Sequence, residues 1–384
     1  MKMKKYLISL LCLIVCVSMC IIPAFASENY IANSQNNYQS EHNKDMDAVI
    51  INKAKAWIQD NYKEIYFLRN ITAEIIRTFD AGNEVKYTVA MSCEHKYKYT
   101  NVYEIPFVKG IQNEIKNRKL ENHERKAVDD FIAEIEEDAN FGNYSELNVD
   151  IVIVVDKEDP TKPWKMYYSD GVGTAIYDIE FLRPNQNELY RQGEEVAQTL
   201  IEKANSISTR GYSNYDRIAA RDYSRQYTSE PKFCSAHPSG CSQKVQQDHS
   251  KWNNTDYPYV ASIFAHNDCA NFVSQAMSAG DLPEDQKSSG WYRDKGTSNY
   301  SASWVTVSNL KSYMTNASSS HHYWDSSNFA DCNRGNIVLT SPGHVVMIDS
   351  FDGNTHKFNG HTNDRYQYPF TIANNFTYYV INRS

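Results

Sequence analysis

One run of residues, Asn267-Asp268-Cys269-Ala270-Asn271-Phe272-Val273-Ser274-Gln275, constrains this chain more than any other. Asn267 or Asp268 is a good helix cap. Ala270, Val273 and Met277 then fall on one apolar face at i, i+3 and i+7, and Gly280 and Pro283 stop the helix. Cys269 therefore sits in the first turn, where unpaired N–H groups and the helix dipole favour a thiolate. Asp268 opposes this through its own charge, so a nearby imidazolium is expected to help. A thiol so placed is either a buried, inert cysteine or a nucleophile, and the cysteine count below favours the nucleophile.

A hairpin brings two histidines toward one another. Residues 336–339 and 343–351 are apolar and β-branched, Asp352-Gly353 is a two-residue turn, and residues 355–362 form the return strand. In that register Phe351 pairs with Asn354 and His344 lies opposite His361, with side chains roughly 5 Å apart. A thiol, a histidine base and a third polar group that orients the base make an activated nucleophile. His344 is the natural base. His361 is the natural orienter, with Asn359, Asn363 and Asp364 as alternatives.

Residues 1–26 read as an address. A basic start, an apolar run over residues 6–22 and Pro23-Ala24-Phe25-Ala26 give the order of a secretory signal peptide, cleaved after Ala26. Cys12, Cys16 and Cys20 leave with it, so Cys93, Cys234, Cys241, Cys269 and Cys332 remain. In an oxidising compartment an odd number leaves at least one thiol unpaired. Cys234 and Cys241 are close enough in sequence to form a disulfide. No other segment spans a membrane, and no basic block suggests nucleic acid.

The 384 residues carry a formal net charge of −8, and residues 27–205 alone carry 32 acidic and 21 basic groups, a net −11. The reading is therefore a polar linker over 27–45, an accessory α+β domain of unknown role over 46–205, and a second domain over 211–384. The accessory part alternates helix (48–67), strands (71–79, 85–92), helix (107–138), strands (148–156, 164–169) and helix (188–204), with no evident nucleophile. Acidic pairs such as Glu134 and Glu137 read as a solvated helix face.

Residues 211–384 resemble the putative amidase domain family of exported bacterial proteins, papain-like relatives of the cysteine, histidine-dependent amidohydrolase/peptidase superfamily. Tyr215-Asp216-Arg217, the run 267–275, Ser303-Trp304-Val305, Gly343-His344-Val345-Val346-Met347-Ile348 and Gly360-His361-Thr362-Asn363-Asp364 carry the resemblance. It implies a nucleophile at Cys269, a base at His344 and a third residue at His361, with the cysteine helix packed on an antiparallel sheet. In one departure, Arg334-Gly335-Asn336-Ile337 stands where such domains often have Gly-Asp before the strand. The fold expected is thus α+β, a papain-like cysteine amidase domain preceded by a separate acidic α+β domain.

The reaction expected is hydrolysis of an amide bond, with peptidoglycan stem peptide as the substrate class and no cofactor or metal. The Cys269 N–H and Asn267 are candidates for the oxyanion, and Trp291, Tyr292 and Trp304 for a substrate groove. Rival readings are a cell-wall-binding or interaction module that retains the fold, a general protein peptidase, and a metal site at Cys234, His237, Cys241 and His249. The last matches no zinc spacing closely.

Overall fold

Long β-branched and aromatic runs build the first half around one antiparallel meander, seen in a computed structural model. The structure describes residues 44–169, 176–179, 185–206, 215–231, 245–259, 267–287, 289–316, 323–327, 333–340, 343–370 and 376–381. The signal and linker readings at residues 1–43, and Cys234, Cys241, Cys332 and His237, lie outside them. Strands β1 (Tyr66–Asp80), β2 (Glu84–Tyr97), β3 (Ser145–Asp156), β4 (Lys165–Ser169) and β5 (Ile176–Asp178) pair in sequence order. Helices α1 (Lys44–Tyr62), α2 (Pro106–Ile115), α3 (Asn122–Ala139) and α4 (Gln186–Ser206) accompany them. Helices α2 and α4 touch backbone to backbone. A β-carbon on Gly110 would lie 2.0 Å from the Tyr190 carbonyl oxygen, and one on Gly193 would lie 1.9 Å from that of Phe107. Only glycine permits this approach.

The second half holds α5 (Arg217–Gln226), α6 (Cys269–Ala279), α7 (Ala302–Val305) and α8 (Val307–Met314). Its sheet contains β6 (Trp324–Ser327), β7 (Ile337–Thr340), β8 (His344–Phe351), β9 (His356–Gly360), β10 (Arg365–Phe370) and β11 (Thr377–Ile381). The strand order is β10-β9-β8-β7-β11-β6, antiparallel at every pairing. Pro369 is tolerated because β10 is an edge. Asp216 caps α5 by accepting from the Ile218 and Ala219 N–H groups, both at 2.9 Å. The α+β class and the antiparallel sheets agree with the sequence reading.

The two halves do not bury separate cores. Alternation along β8 sends Val345 and Met347 into one apolar cluster with Ala270, Val273 and Met277 of α6. Val346, Ile348, Phe351, Phe358, Tyr368 and Phe370 instead join the cluster of Ile58, Val149, Ile151 and Ile135 from the first half. A sheet buried on both faces needs a layer on each side, and residues 44–206 supply one of them.

Polar contacts follow the same seam. Arg334, almost fully buried, bonds both carboxylate oxygens of Asp138 and reaches Glu137 and the Glu134 carbonyl. Arg217 and Asn333 bond the Glu134 carboxylate. Arg365 bonds Asp150 at 3.0 Å. The acidic face of α3 read as solvated is therefore corrected in part: the Asp138 carboxylate is buried and Glu134 partly so, while Asp129, Asp130, Glu136 and Glu137 stay exposed.

The hairpin register also differs from the expectation. Asp352 Oδ1 accepts from the N–H groups of Asn354 and Thr355, which closes a longer turn than the two-residue loop. Phe351 therefore pairs with His356, and a bulge at Asp349 shifts the next pairs to Ile348 with Phe358 and Met347 with Asn359. His344 and His361 are not opposed. The turn itself is buried, with Gly353 at φ +85° against Ile105 and Ile135. Tyr66 donates to Asp352 Oδ2, and Tyr97 donates to the Asp352 carbonyl.

Candidate active site

Asp268 is the N-cap of α6 by backbone position, but its side chain does not cap the helix. Its carboxylate turns sideways: Oδ1 accepts from Asn271 Nδ2 at 2.8 Å and Oδ2 lies 2.8 Å from His361 Nδ1. Cys269 follows as the first helical residue and is buried. Burial pushes its thiol above the ordinary value; the nearby Val345 and Ala270 N–H groups and the Thr362 hydroxyl pull it down, Asp268 pushes it up, and the net shift is upward. Cys93, the other free thiol among the described residues, is buried in β2 and raised by burial to about 12. It is inert by the same reasoning.

His344 opens β8 and is buried. Its Nε2 lies beside Gly360, where a β-carbon would sit 3.8 Å away. Burial pushes this imidazole down to about 3, and the positive charges of Arg365 and His361 add to the effect. His344 is thus neutral at pH 7. No hydrogen bond joins the Cys269 and His344 side chains among the described contacts, and burial favours the neutral form of each.

His361 occupies a different place from the one expected of an orienter. Its Nδ1 faces the Asp268 carboxylate, and its Nε2 lies 2.9 Å from the Tyr227 carbonyl. Neither partner has a proton to give, so both nitrogens carry one and the ring is an imidazolium. It is stacked between Trp252 and Phe272, at centroid distances of 4.4 and 3.9 Å. Burial lowers its pKa, but Asp364 and Asp268 outweigh burial and raise it. Its charge is turned to Asp268, and no contact joins it to the Cys269 sulfur among the described contacts.

A pH signature follows from that charge. Because the folded value lies above the ordinary one, the charge on His361 contributes stability in full below about pH 6.5. That contribution disappears as pH rises through the folded value. The loss in thermal midpoint caused by His361→Gln is therefore expected to be greatest near pH 6 and to shrink toward pH 9. Paired melting curves across that range check it, and a constant gap would show that His361 is not charged in the fold.

Residues after His361 lock the same corner. Asn363 Oδ1 accepts from the Gln246 N–H at 2.8 Å. Asp364 Oδ2 accepts from the Asp248 N–H and Trp252 Nε1, and burial raises that carboxyl to about 6. Thr362 and Arg365 were not singled out from sequence, Asp268 was read only as a cap and an opposing charge, and Asp364 only as an alternative orienter. The available signal was the cluster of polar residues immediately after an apolar return strand.

The other sequence candidates separate clearly. Asn267 is exposed beside the N-cap. Trp291 and Trp304 are fully buried, which corrects their assignment to a substrate groove. Their indoles stack at 4.7 Å, and each N–H is consumed by α6: Trp291 donates to Ser274 Oγ and Trp304 to Asn271 Oδ1. They hold the cysteine helix in place. His249 packs against Trp252 and Tyr259. Among the described residues no group of three or more His, Cys, Asp or Glu is arranged to hold a metal ion.

Residues 214–381 match the family model described as "Putative amidase domain". The match agrees with the resemblance carried by the cysteine and histidine motifs, and it supports an amidase-type hydrolase acting on C–N bonds of an amide substrate. No curated protein and no solved structure matches the chain.

Proposed function

We propose that this chain is an exported bacterial amidase that uses Cys269 as nucleophile and His344 as base, with an amide of peptidoglycan as its substrate. The carrying observation is Cys269 at the start of a buried helix, packed on the sheet whose strand β8 opens with the buried, neutral His344, inside the region that matches the amidase family. As the sulfur attacks the amide carbonyl carbon, the thiol proton passes to His344 and an S–C bond forms. The imidazolium returns that proton to the leaving nitrogen as the C–N bond breaks, which leaves a thioester. His344 then takes a proton from water, the hydroxide oxygen attacks the thioester carbon, and as the C–S bond breaks the imidazolium returns its proton to the departing sulfur, freeing the acid and restoring the thiol. The Cys269 N–H, with Asn267 beside it, is placed to receive the oxyanion.

A thiol raised by burial and an imidazole lowered by burial favour proton transfer during attack over a preformed thiolate. Export follows from the signal-like residues 1–26, and the wall substrate from the class of protein the motifs resemble.

The test offers purified residues 27–384 reduced peptidoglycan digests and unrelated protein substrates in parallel, with mass spectrometry naming the bond cut. Wall fragments released by untreated protein, and lost after alkylation of Cys269 by iodoacetamide, are the expected result. Cleavage of the protein substrates alone would replace the wall amidase with a general peptidase. Binding to the wall without any cleavage, with Cys269 unreactive, would leave a binding module.

A further inference from the structure

We infer that the first half carries an anion-binding cleft, formed by α2, α3 and α4, that holds the phosphate groups of a phosphate-bearing chain. The cleft lies outside the amidase match, and the inference does not depend on Cys269. Its volume is about 630 Å³, and four cations, Lys109, Lys116, Arg118 and Arg125, line it together with Gln112 and Tyr190. None of the described residues that line it is acidic, although residues 27–205 carry a net −11. Such a volume suits a small ligand or a short length of polymer.

The ordinary duties of a surface cation do not account for this set. Lys116 and Arg118 follow the C-terminus of α2, where the helix dipole favours positive charge. Lys109 and Arg125 are the fourth residues of α2 and α3, where the same dipole opposes it. Arg118 pairs with Glu114, but Lys116 and Arg125 have no ion-pair partner among the described residues. Like charges around one space repel, and a bound anion relieves that repulsion. The frame is fixed in advance. Gly110, next to Lys109, brings α2 against the Tyr190 carbonyl of α4. Asn113 donates to Glu194 at 2.9 Å and Gln198 to Glu114 at 3.1 Å, which ties the same two helices and occupies both carboxylates. The arrangement favours phosphate over carboxylate. One guanidinium fork satisfies a planar carboxylate, whereas a tetrahedral phosphate offers oxygens to cations that approach from several directions. Here they come from two helices and the connection between them, around a space larger than one phosphate group.

The experiment is calorimetric titration of residues 27–384 with inorganic phosphate, a short linear polyphosphate and polyglutamate of matched charge. Polyphosphate is expected to bind, and its Kd to rise as salt is added. Lys116→Gln combined with Arg125→Gln is expected to weaken that binding roughly tenfold or more, because each change removes a charge-assisted contact. Lys53→Gln combined with Lys86→Gln removes two cations outside the cleft and is expected to leave the Kd unchanged. Circular dichroism checks the fold of both double variants. Lys116 is exposed, so Lys116→Gln alone decides if the first pair does not fold. Polyphosphate that does not bind, or that binds the Lys116/Arg125 pair as tightly as the wild type, overturns the cleft. Equal weakening in the control pair overturns it too, by showing adsorption to the surface at large. Polyglutamate binding as tightly as polyphosphate overturns the choice of phosphate, and inorganic phosphate binding as tightly overturns the chain.

Discussion

Cys269→Ala is expected to reduce amide hydrolysis to the rate measured without protein, a loss of roughly a thousandfold or more, while melting and circular dichroism stay near those of the wild type. Alanine retains the buried volume except for one sulfur atom, and Cys269 makes no ion pair on which the fold depends. His344→Ala is expected to cost about as much, because attack without a proton acceptor leaves the thiol at its burial-raised value. The two residues act as one unit, so the double variant should be no slower than either single one. His361→Ala should separate from both. Its loss leaves Asp268 buried beside an empty ring site between Trp252 and Phe272, so the melting point should fall along with the rate. The check is a rate and a melting curve for each of the four variants. Wild-type turnover in Cys269→Ala would sink the nucleophile, and a His361→Ala protein with unchanged melting would return His361 to the role of orienter.

Much of the site was legible because it depends on local chemistry. The helix at Cys269 begins and ends where its cap, apolar spacing and Gly280 place it, and β8 follows its β-branched run. What the sequence concealed is non-local. Nothing in a local window shows that Asp352 will gather two N–H groups and lengthen a turn, or that Asp349 will bulge. Asp349 does so facing Arg225 and Asn359, which lie elsewhere in the chain. A one-residue change of register exchanges the two faces of a strand, and here it moved His361 from His344 to Asp268. The tryptophans were misread for a related reason. An indole is equally suited to lining a groove and to filling a core, and only the partners at Ser274 and Asn271 decide. β10 escaped notice because Arg365, Gln367 and Pro369 break its pattern, and two of those residues are explained only by Asp150 and by an edge position.

Residues 211–384 expressed without the first half are expected to fail to reach a cooperatively folded, soluble state, although the family match at 214–381 falls within them. Removing residues 44–206 uncovers Val338, Val346, Ile348, Phe351, Phe358, Tyr368, Phe370 and Tyr378, all buried in the shared cluster. At roughly 1.5–3 kcal/mol for each large apolar side chain, the loss is on the order of 10–20 kcal/mol. That equals or exceeds the whole stability of an ordinary domain, about 5–15 kcal/mol. Charges are stranded as well. Arg365 loses Asp150 one residue from Asp364, Arg334 loses Asp138, and the buried turn at Gly353 loses Ile105 and Ile135. The strands that carry His344 and the turn that carries Thr362 hang on these contacts, so an acidic half that builds the core cannot act as a removable restraint on the site. Urea unfolding and dye binding of the 211–384 fragment test this, beside the same fragment co-expressed with residues 44–206 as a separate chain. Dye binding without a cooperative transition in the fragment, and recovery of the transition on co-expression, are expected. A sharp, wild-type-like transition in the fragment alone would show that the shared cluster contributes far less than its burial implies.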